Sequence, residues 1–360
     1  MKIIVNFLIS FFLLAGPACV QKKDMESKER KKESTKLFPI RQNNKFGFIN
    51  RYGKIVIIPQ FEIVGRFSEG LAWVIQSWET GTRGYIDTTG KVVVTPQFYS
   101  CRDFSDGFSA VWIDRKWGYI DKTGKFIIEP QFVSAADFAE GIARVWVNGM
   151  WGYINKTGKF IIKPQFDAAS SFSEGLAQVL IDGAKVYIGK TGKVMIKPQF
   201  SEAYDFSEGI AMIGIFSKYG YINKTGKVVI KPQYEEAYRF SEGLAGVKSY
   251  GKYGYIDKTG KIVIYPLFGS ISNFSEGFAA VRINSKWGYI DKTGKFIIKP
   301  QFDAANSFSG GLAKVSIDEQ SGYIDTTGKF VWGPSKPYYI MKKDQPPMIS
   351  PDSSLLKKHR

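Results

Sequence analysis

The sequence contains a single histidine, two cysteines and no apolar run long enough to hold a stable helix across a bilayer. His359 lies in a polar tail, so histidine-based triads and histidine metal clusters are excluded. Two cysteines cannot build a disulfide scaffold, and Cys101 stands where other units of the chain carry Ala135, Ala169, Ala203, Ala237 and Ala305, which marks it as a small buried thiol. Acidic residues are also scarce, 33 against 50 basic ones, for a formal charge of +17. The flanks take part of that excess. Residues 21–36 carry +3 and residues 335–360 carry +4, so with Lys2 set aside +9 remains for the stretch between them. That balance favours anionic partners but lacks the dense basic face of a dedicated nucleic-acid binder.

What the chain has in quantity is aromatic residues, at 15%, and 37 glycines. That composition suits short strands joined by tight turns. One motif returns at Gly47, Gly84, Gly118, Gly152, Gly220, Gly254, Gly288 and Gly322, with Val186 in the fifth place; after the first step the spacing is that from Gly118 to Gly152. A unit reads Phe278 to Ile283, then Lys286 to Asp291, then Phe296 to Pro300, which predicts three short strands. The Asp291-Lys292-Thr293-Gly294 sequence between the last two predicts an Asx-type hairpin turn, and Pro300 predicts the end of the third strand. The connector places Phe166, Ala169 and Phe172 every third residue, as along a short helical or 3₁₀ turn, with the two phenylalanines expected to plug the gap between units.

Nine such units fill residues 37–334, and the chain has no spare strand at either end to complete a shared blade. The expected architecture is therefore all-β, an open tandem array or superhelix of nine three-stranded units, with a closed β-propeller as the alternative. An open array would be elongated, approaching ~130 Å if its 27 strands ran as one sheet.

The ends give an address. Residues 1–18 form a short apolar run after Lys2 and read as an export signal peptide; Cys19 follows as the expected lipid acceptor, although Gly16 replaces the aliphatic residue usual at that distance from such a cysteine. Residues 19–36 then read as a charged tether, and 335–360 as a polar basic tail. The expected location is the cell envelope, lipid-anchored to a membrane, or secreted or periplasmic if the signal is simply cleaved.

Carboxylates recur at the same turn position in nearly every unit, whereas an active site needs one asymmetric convergence of groups, so no catalytic residue and no enzyme activity are expected. Glu69, Asp106, Glu140, Glu174, Glu208, Glu242 and Glu276 form one such column. One carboxylate beside a serine falls short of the oxygens calcium requires, so no metal is assigned and capping of the local turn is the expected role. Two series are candidate binding surfaces. The first is aromatic: Trp117, Trp151, Tyr219, Tyr253 and Trp287, with Phe46, which suit stacking on sugars or clamping a peptide, against the plainer reading of packing between units. The second is Lys122, Lys156, Lys190, Lys224, Lys258 and Lys292 at turn tips, shadowed by Lys125, Lys159, Lys193, Lys227, Lys261 and Lys295, which suit an anionic glycan or lipid, against the plainer reading of solvated turns.

The segments Lys286-Trp287-Gly288-Tyr289-Ile290-Asp291-Lys292-Thr293-Gly294-Lys295 and Phe274-Ser275-Glu276-Gly277-Phe278-Ala279 resemble the bacterial WG-repeat family, also called KWG repeats. The resemblance implies an exported bacterial repeat protein, brings no catalytic residues and no cofactor, and agrees with a monomeric, non-enzymatic binding module or a purely mechanical spacer. The chain departs from the motif at Arg83, Lys185 and Ser321, where the aromatic is missing, and at Val186, where the glycine is. Units two, five and nine would then be the weak links of any ligand row.

Overall fold

The computed structural model describes residues 36–197 and 200–333. The export signal, Cys19, the tether before Lys36 and the basic tail lie outside the described residues. Within them the chain forms nine antiparallel sheets, one per unit, at residues 38–61, 63–98, 100–132, 134–166, 168–196, 202–234, 236–268, 270–302 and 304–332. These are blades one to nine.

The connector is not a helical turn. In blade three it supplies a two-residue strand, Ser100–Cys101, that pairs with Ser109–Ile113, followed by Lys116–Ile120 and Phe126–Phe132. Each later blade is four-stranded in the same way, and only blade one keeps three strands. A spacing of three suggested one side of a helix, but extended residues around a Ser-Glu-Gly reverse turn bury the same phenylalanines. In that turn Glu69 and its counterparts adopt left-handed φ values of 51 to 55°, followed by a left-handed glycine. The turn closes by paired backbone bonds such as Ser105 N to Phe108 O, 2.9 Å, and Phe108 N to Ser105 O, 3.1 Å.

The proline does not end the third predicted strand either. Phe126–Phe132 runs through Pro130, and its pairing with Lys116–Ile120 shifts register between Trp117 and Tyr119. The shift is a bulge in which a residue without N–H loses nothing. The motif glycine explains it. A Cβ on Gly118 would lie 2.7 Å from Ile128 O and 2.8 Å from Pro130 N, and on Gly220 2.4 and 2.5 Å from the corresponding atoms. In blade five, where Val186 replaces the glycine, the last strand covers Val194–Ile196 within the described residues, and the first strand of blade six covers Glu202–Ser207.

The core lies between blades. Tyr119 of blade three is fully buried against Phe132, Phe138, Ala143 and Val145, and its hydroxyl donates to Ala136 O of blade four at 2.7 Å. Burial pushes that hydroxyl far above the usual phenol range, so it stays a donor. The same bond recurs from Tyr85, Tyr153, Tyr187, Tyr221, Tyr255 and Tyr289. Cys101 is buried in the equivalent layer, its thiol pushed up to about 11 by burial.

The open array is overturned at the chain ends. Phe38, Ile40 and Ile49 of blade one share a buried cluster with Leu312 and Tyr323 of blade nine; the Phe38 and Tyr323 rings stand 5.5 Å apart, and the Tyr323 hydroxyl donates to Pro39 O at 2.9 Å. Nine blades therefore close into a ring, a nine-bladed β-propeller. An exchanged strand proved unnecessary because Pro39 O, which a first strand would otherwise occupy as Gly65 N occupies Trp73 O in blade two, accepts from Tyr323 directly.

Candidate functional site

Antiparallel order sorts the turns onto two faces. The Ser-Glu-Gly and Asp-Lys-Thr-Gly turns share one face, and the turns between second and third strands share the other with the crossings from blade to blade.

On the first face the hairpin turns form as their residues dictate. Asp121 Oδ1 accepts from Thr123 N at 2.9 Å and Lys125 N at 3.1 Å, and Gly124 takes a φ of 88°. The Thr123 hydroxyl, followed by the backbone amides, holds the Asp121 carboxyl below its usual range. The first lysine series does not extend freely from these tips. Lys122 Nζ lies 3.1 Å from Glu69 Oε2 of the preceding blade and 2.9 Å from Glu69 O. Lys190–Glu140, Lys224–Glu174, Lys258–Glu208 and Lys292–Glu242 repeat the pair at 3.0 to 3.1 Å, and Lys156 reaches Asp106 O at 2.7 Å.

The same carboxylates accept from the turn glycine of the following blade, as Glu174 does from Gly209 N at 3.0 Å and Asp106 from Gly141 N at 2.6 Å. The acidic column thus caps the neighbouring turn, not its own. Glu, Lys and Gly together make a clasp from blade to blade. Glu276 caps Gly311 N at 2.8 Å, but its lysine position is Thr326, and Gly310 stands where the next glutamate would be.

The second lysine series is different. Lys125, Lys159, Lys193, Lys227, Lys261 and Lys295 are exposed and, among the described residues, form no ion pair with a neighbouring blade, and Lys54, Lys91 and Lys329 hold the same position in blades one, two and nine. Every blade carries one. Sequence reasoning missed those three because their turns read Asn50-Arg51-Tyr52-Gly53, Asp87-Thr88-Thr89-Gly90 and Asp325-Thr326-Thr327-Gly328, without the first lysine.

On the opposite face the aromatic series is half-buried or buried. Five of its members carry a cation from this chain over the ring: Arg41 over Phe46 at 5.6 Å, Arg102 over Trp117 at 5.5 Å, Arg144 over Trp151 at 4.6 Å, Lys248 over Tyr253 at 5.3 Å and Arg282 over Trp287 at 5.8 Å. Arg83, in the aromatic's place in blade two, itself lies over Trp73 at 4.7 Å. Tyr219 has no such cation among the described residues. Beside it is a hollow of about 470 Å³ lined by Glu202, Gly214, Phe216, Tyr219 and Glu235. Sequence reasoning named the aromatics but not the cations over them; for Arg41, Lys248, Arg282 and the gap at Gly214 the signal was the position paired with the motif aromatic on the preceding strand, whereas that position holds Trp112 and Trp146 where Arg102 and Arg144 supply the cation from elsewhere.

A family described as WG containing repeat matches residues 46–77, 84–117, 117–151, 151–183, 187–214, 219–253, 253–287 and 287–320. The chain belongs to the WG-repeat family. No curated protein matches it. Among solved structures, the WG-repeat ring is similar to a eukaryotic initiation factor at 11% identity and a TM-score of 0.61, over 83% of this chain and 95% of that one. It is also similar to the dihydro-heme d1 dehydrogenase NirN at 12% identity and 0.44, over 75% of this chain and 74% of that one. At 11% identity the likeness to the initiation factor speaks of fold alone.

Proposed function

We propose that this WG-repeat protein is a non-enzymatic, monomeric ring scaffold whose hairpin-turn face binds an anionic polymer or membrane surface. The observation that carries the reading is the set of nine exposed lysines, Lys54 to Lys329, one from every blade at one position. A single exposed lysine contributes little, but nine held on one face act together on a repeating anion, and such binding weakens as salt screens it over ~8 Å at physiological ionic strength. Half of the lysines read from the sequence as binding candidates, Lys122 to Lys292, serve the clasps in this reading, and the recruiting role passes to their exposed neighbours. Residues 1–18 and Cys19 support an exported chain held at a membrane by lipid, with the charged stretch after Cys19 as spacer.

Replacing the nine lysines by glutamine is expected to abolish salt-sensitive binding to vesicles containing anionic lipid or to an anionic glycan, with the melting temperature nearly unchanged. Equal binding by variant and parent at low salt would leave a ring that acts as a spacer. Cys19→Ser is expected to release the protein from membranes, read by fractionation; unchanged retention would place the anchor elsewhere.

A further inference from the structure

Blade seven shows what one of its own sites holds. Lys248 lies over the Tyr253 ring, its ammonium 2.7 Å from Glu236 Oε1, and the Tyr253 hydroxyl donates to Glu236 Oε2 at 2.5 Å. Blade six repeats this arrangement residue for residue, with one omission. Glu202 pairs with Gly214 and Gly214 with Tyr219, as Glu236 pairs with Lys248 and Lys248 with Tyr253. The Tyr219 hydroxyl still approaches Glu202 Oε2, at 3.4 Å, and Tyr204 donates to the same oxygen at 2.5 Å. Where blade seven has the lysine, blade six has no side chain, and the hollow opens there.

The surroundings agree in chemistry. Glu202 and Glu235 form no ion pair among the described residues, whereas Glu62, Glu236 and Asp303 at matching positions are paired with Lys45, Lys248 and Lys286. Lys218, the counterpart of Lys45 and Lys286, makes no ion pair with Glu235. Phe216 lines the hollow and is 94% exposed, and Tyr250, at the same turn position in blade seven, is 96% exposed; Gly251 beside it donates to Glu235 Oε2 at 3.1 Å. Both aromatics take left-handed φ values, 47 and 51°, where other blades use Asn43, Asp114, Asn148, Asp182, Asn284 and Asp318. A bulky ring in that conformation is strained, and solvent exposure returns nothing for it within the ring itself.

We propose that this hollow receives the ammonium group of a lysine side chain presented by a partner peptide. The ammonium takes the place Lys248 takes in blade seven, over Tyr219 and against Glu202, with Glu235 adding charge and Phe216 and Tyr250 covering the peptide's apolar stem. This site is on the face opposite the nine lysines and stands or falls independently of them.

The test titrates the full chain with a short glycine-serine peptide carrying one lysine, and with the same peptide acetylated at that lysine, by calorimetry. The lysine peptide is expected to bind saturably and the acetylated one at least tenfold more weakly. Gly214→Lys fills the site from within and is expected to abolish binding. Glu202→Gln is expected to weaken it about tenfold. Phe216→Asn puts the residue of other blades into the turn and is expected to weaken binding while raising the melting temperature, which separates loss of the site from loss of the fold. Equal binding of both peptides, no lysine-dependent binding, or unchanged binding by Gly214→Lys, or by Glu202→Gln should Gly214→Lys fail to fold, overturns the proposal.

Discussion

At the scale of single residues, the glycine that defines the repeat acts through the absence of an atom. In blade three the outer strand bulges directly over Gly118, and any Cβ there would lie under 3.0 Å from two backbone atoms that cannot move without breaking the strand. Val186 takes the same place in blade five, whose last strand covers Val194–Ile196 within the described residues. Gly118→Val is therefore expected to shorten Phe126–Phe132 and to cost roughly 3 kcal/mol or more, the range of changes that break buried packing. Thermal unfolding reads the loss, and a variant within about 0.5 kcal/mol of the parent would show that the bulge adapts. The glycine and its exception were legible in the sequence. Its reason was not, because the atoms that exclude Cβ belong to residues ten to twelve positions further on, and their approach depends on a bulge that no local pattern announces.

At the scale of elements, blades pack on both faces, so strand alternation does not sort buried from exposed residues. Ala279, Ala280 and Val281 are all buried. The clasps were misread for a related reason: Glu174 and Lys224 stand 50 residues apart, so that only the stacking of adjacent blades joins them. Burial pulls the Glu174 carboxyl upward, but Lys224 and the Gly209 amide outweigh it and leave it below its usual range. A carboxylate depressed on folding stabilises the fold above its unfolded pKa, and that contribution is lost as pH falls through the folded value. The Asp121 and Asp257 carboxyls, held down first by their threonine hydroxyls, act in the same direction. Stability is thus expected to hold near neutrality and to fall below roughly pH 4. Lys224→Gln should lower the melting temperature by only a few degrees, since a half-exposed ion pair contributes about 0–1 kcal/mol, and should leave Glu174 with Gly209. A melting curve flat from pH 7 to pH 3 would deny the carboxylates this role.

At the scale of the whole molecule, the count of nine units was legible and the closure was not. Flush chain ends told against a shared blade, yet the seam needs only an apolar cluster, the Tyr323 hydroxyl on Pro39 O and the contact of Lys36 with Ser309. Burial pushes that hydroxyl up to about 12, so it remains a donor through the neutral range. A closed ring of this length should scatter with a radius of gyration near ~19 Å, not as a rod approaching ~130 Å. The seam differs from every junction between blades two and eight, because Gly310 faces Lys36 and Phe38 and Gly311 faces Arg51, where those junctions have a carboxylate that caps the next turn's glycine and a lysine that reaches the carboxylate's residue. The missing charge-assisted bond and ion pair leave it weaker by roughly 1–3 kcal/mol. If the ring opens, it should open there first. Hydrogen exchange is expected to show lower protection at Phe38–Gln42 and Gln320–Asp325 than at Ala245–Ser249 and Lys218–Asn223, where a clasped junction lies between blades six and seven. Tyr323→Phe removes the tyrosine hydroxyl bond across the seam and should deepen that difference by about 1 kcal/mol, whereas Tyr221→Phe, at the clasped junction, should cost similar global stability without opening the ring. Equal protection at both junctions in the parent and in Tyr323→Phe would mean that the apolar cluster alone holds the ring closed.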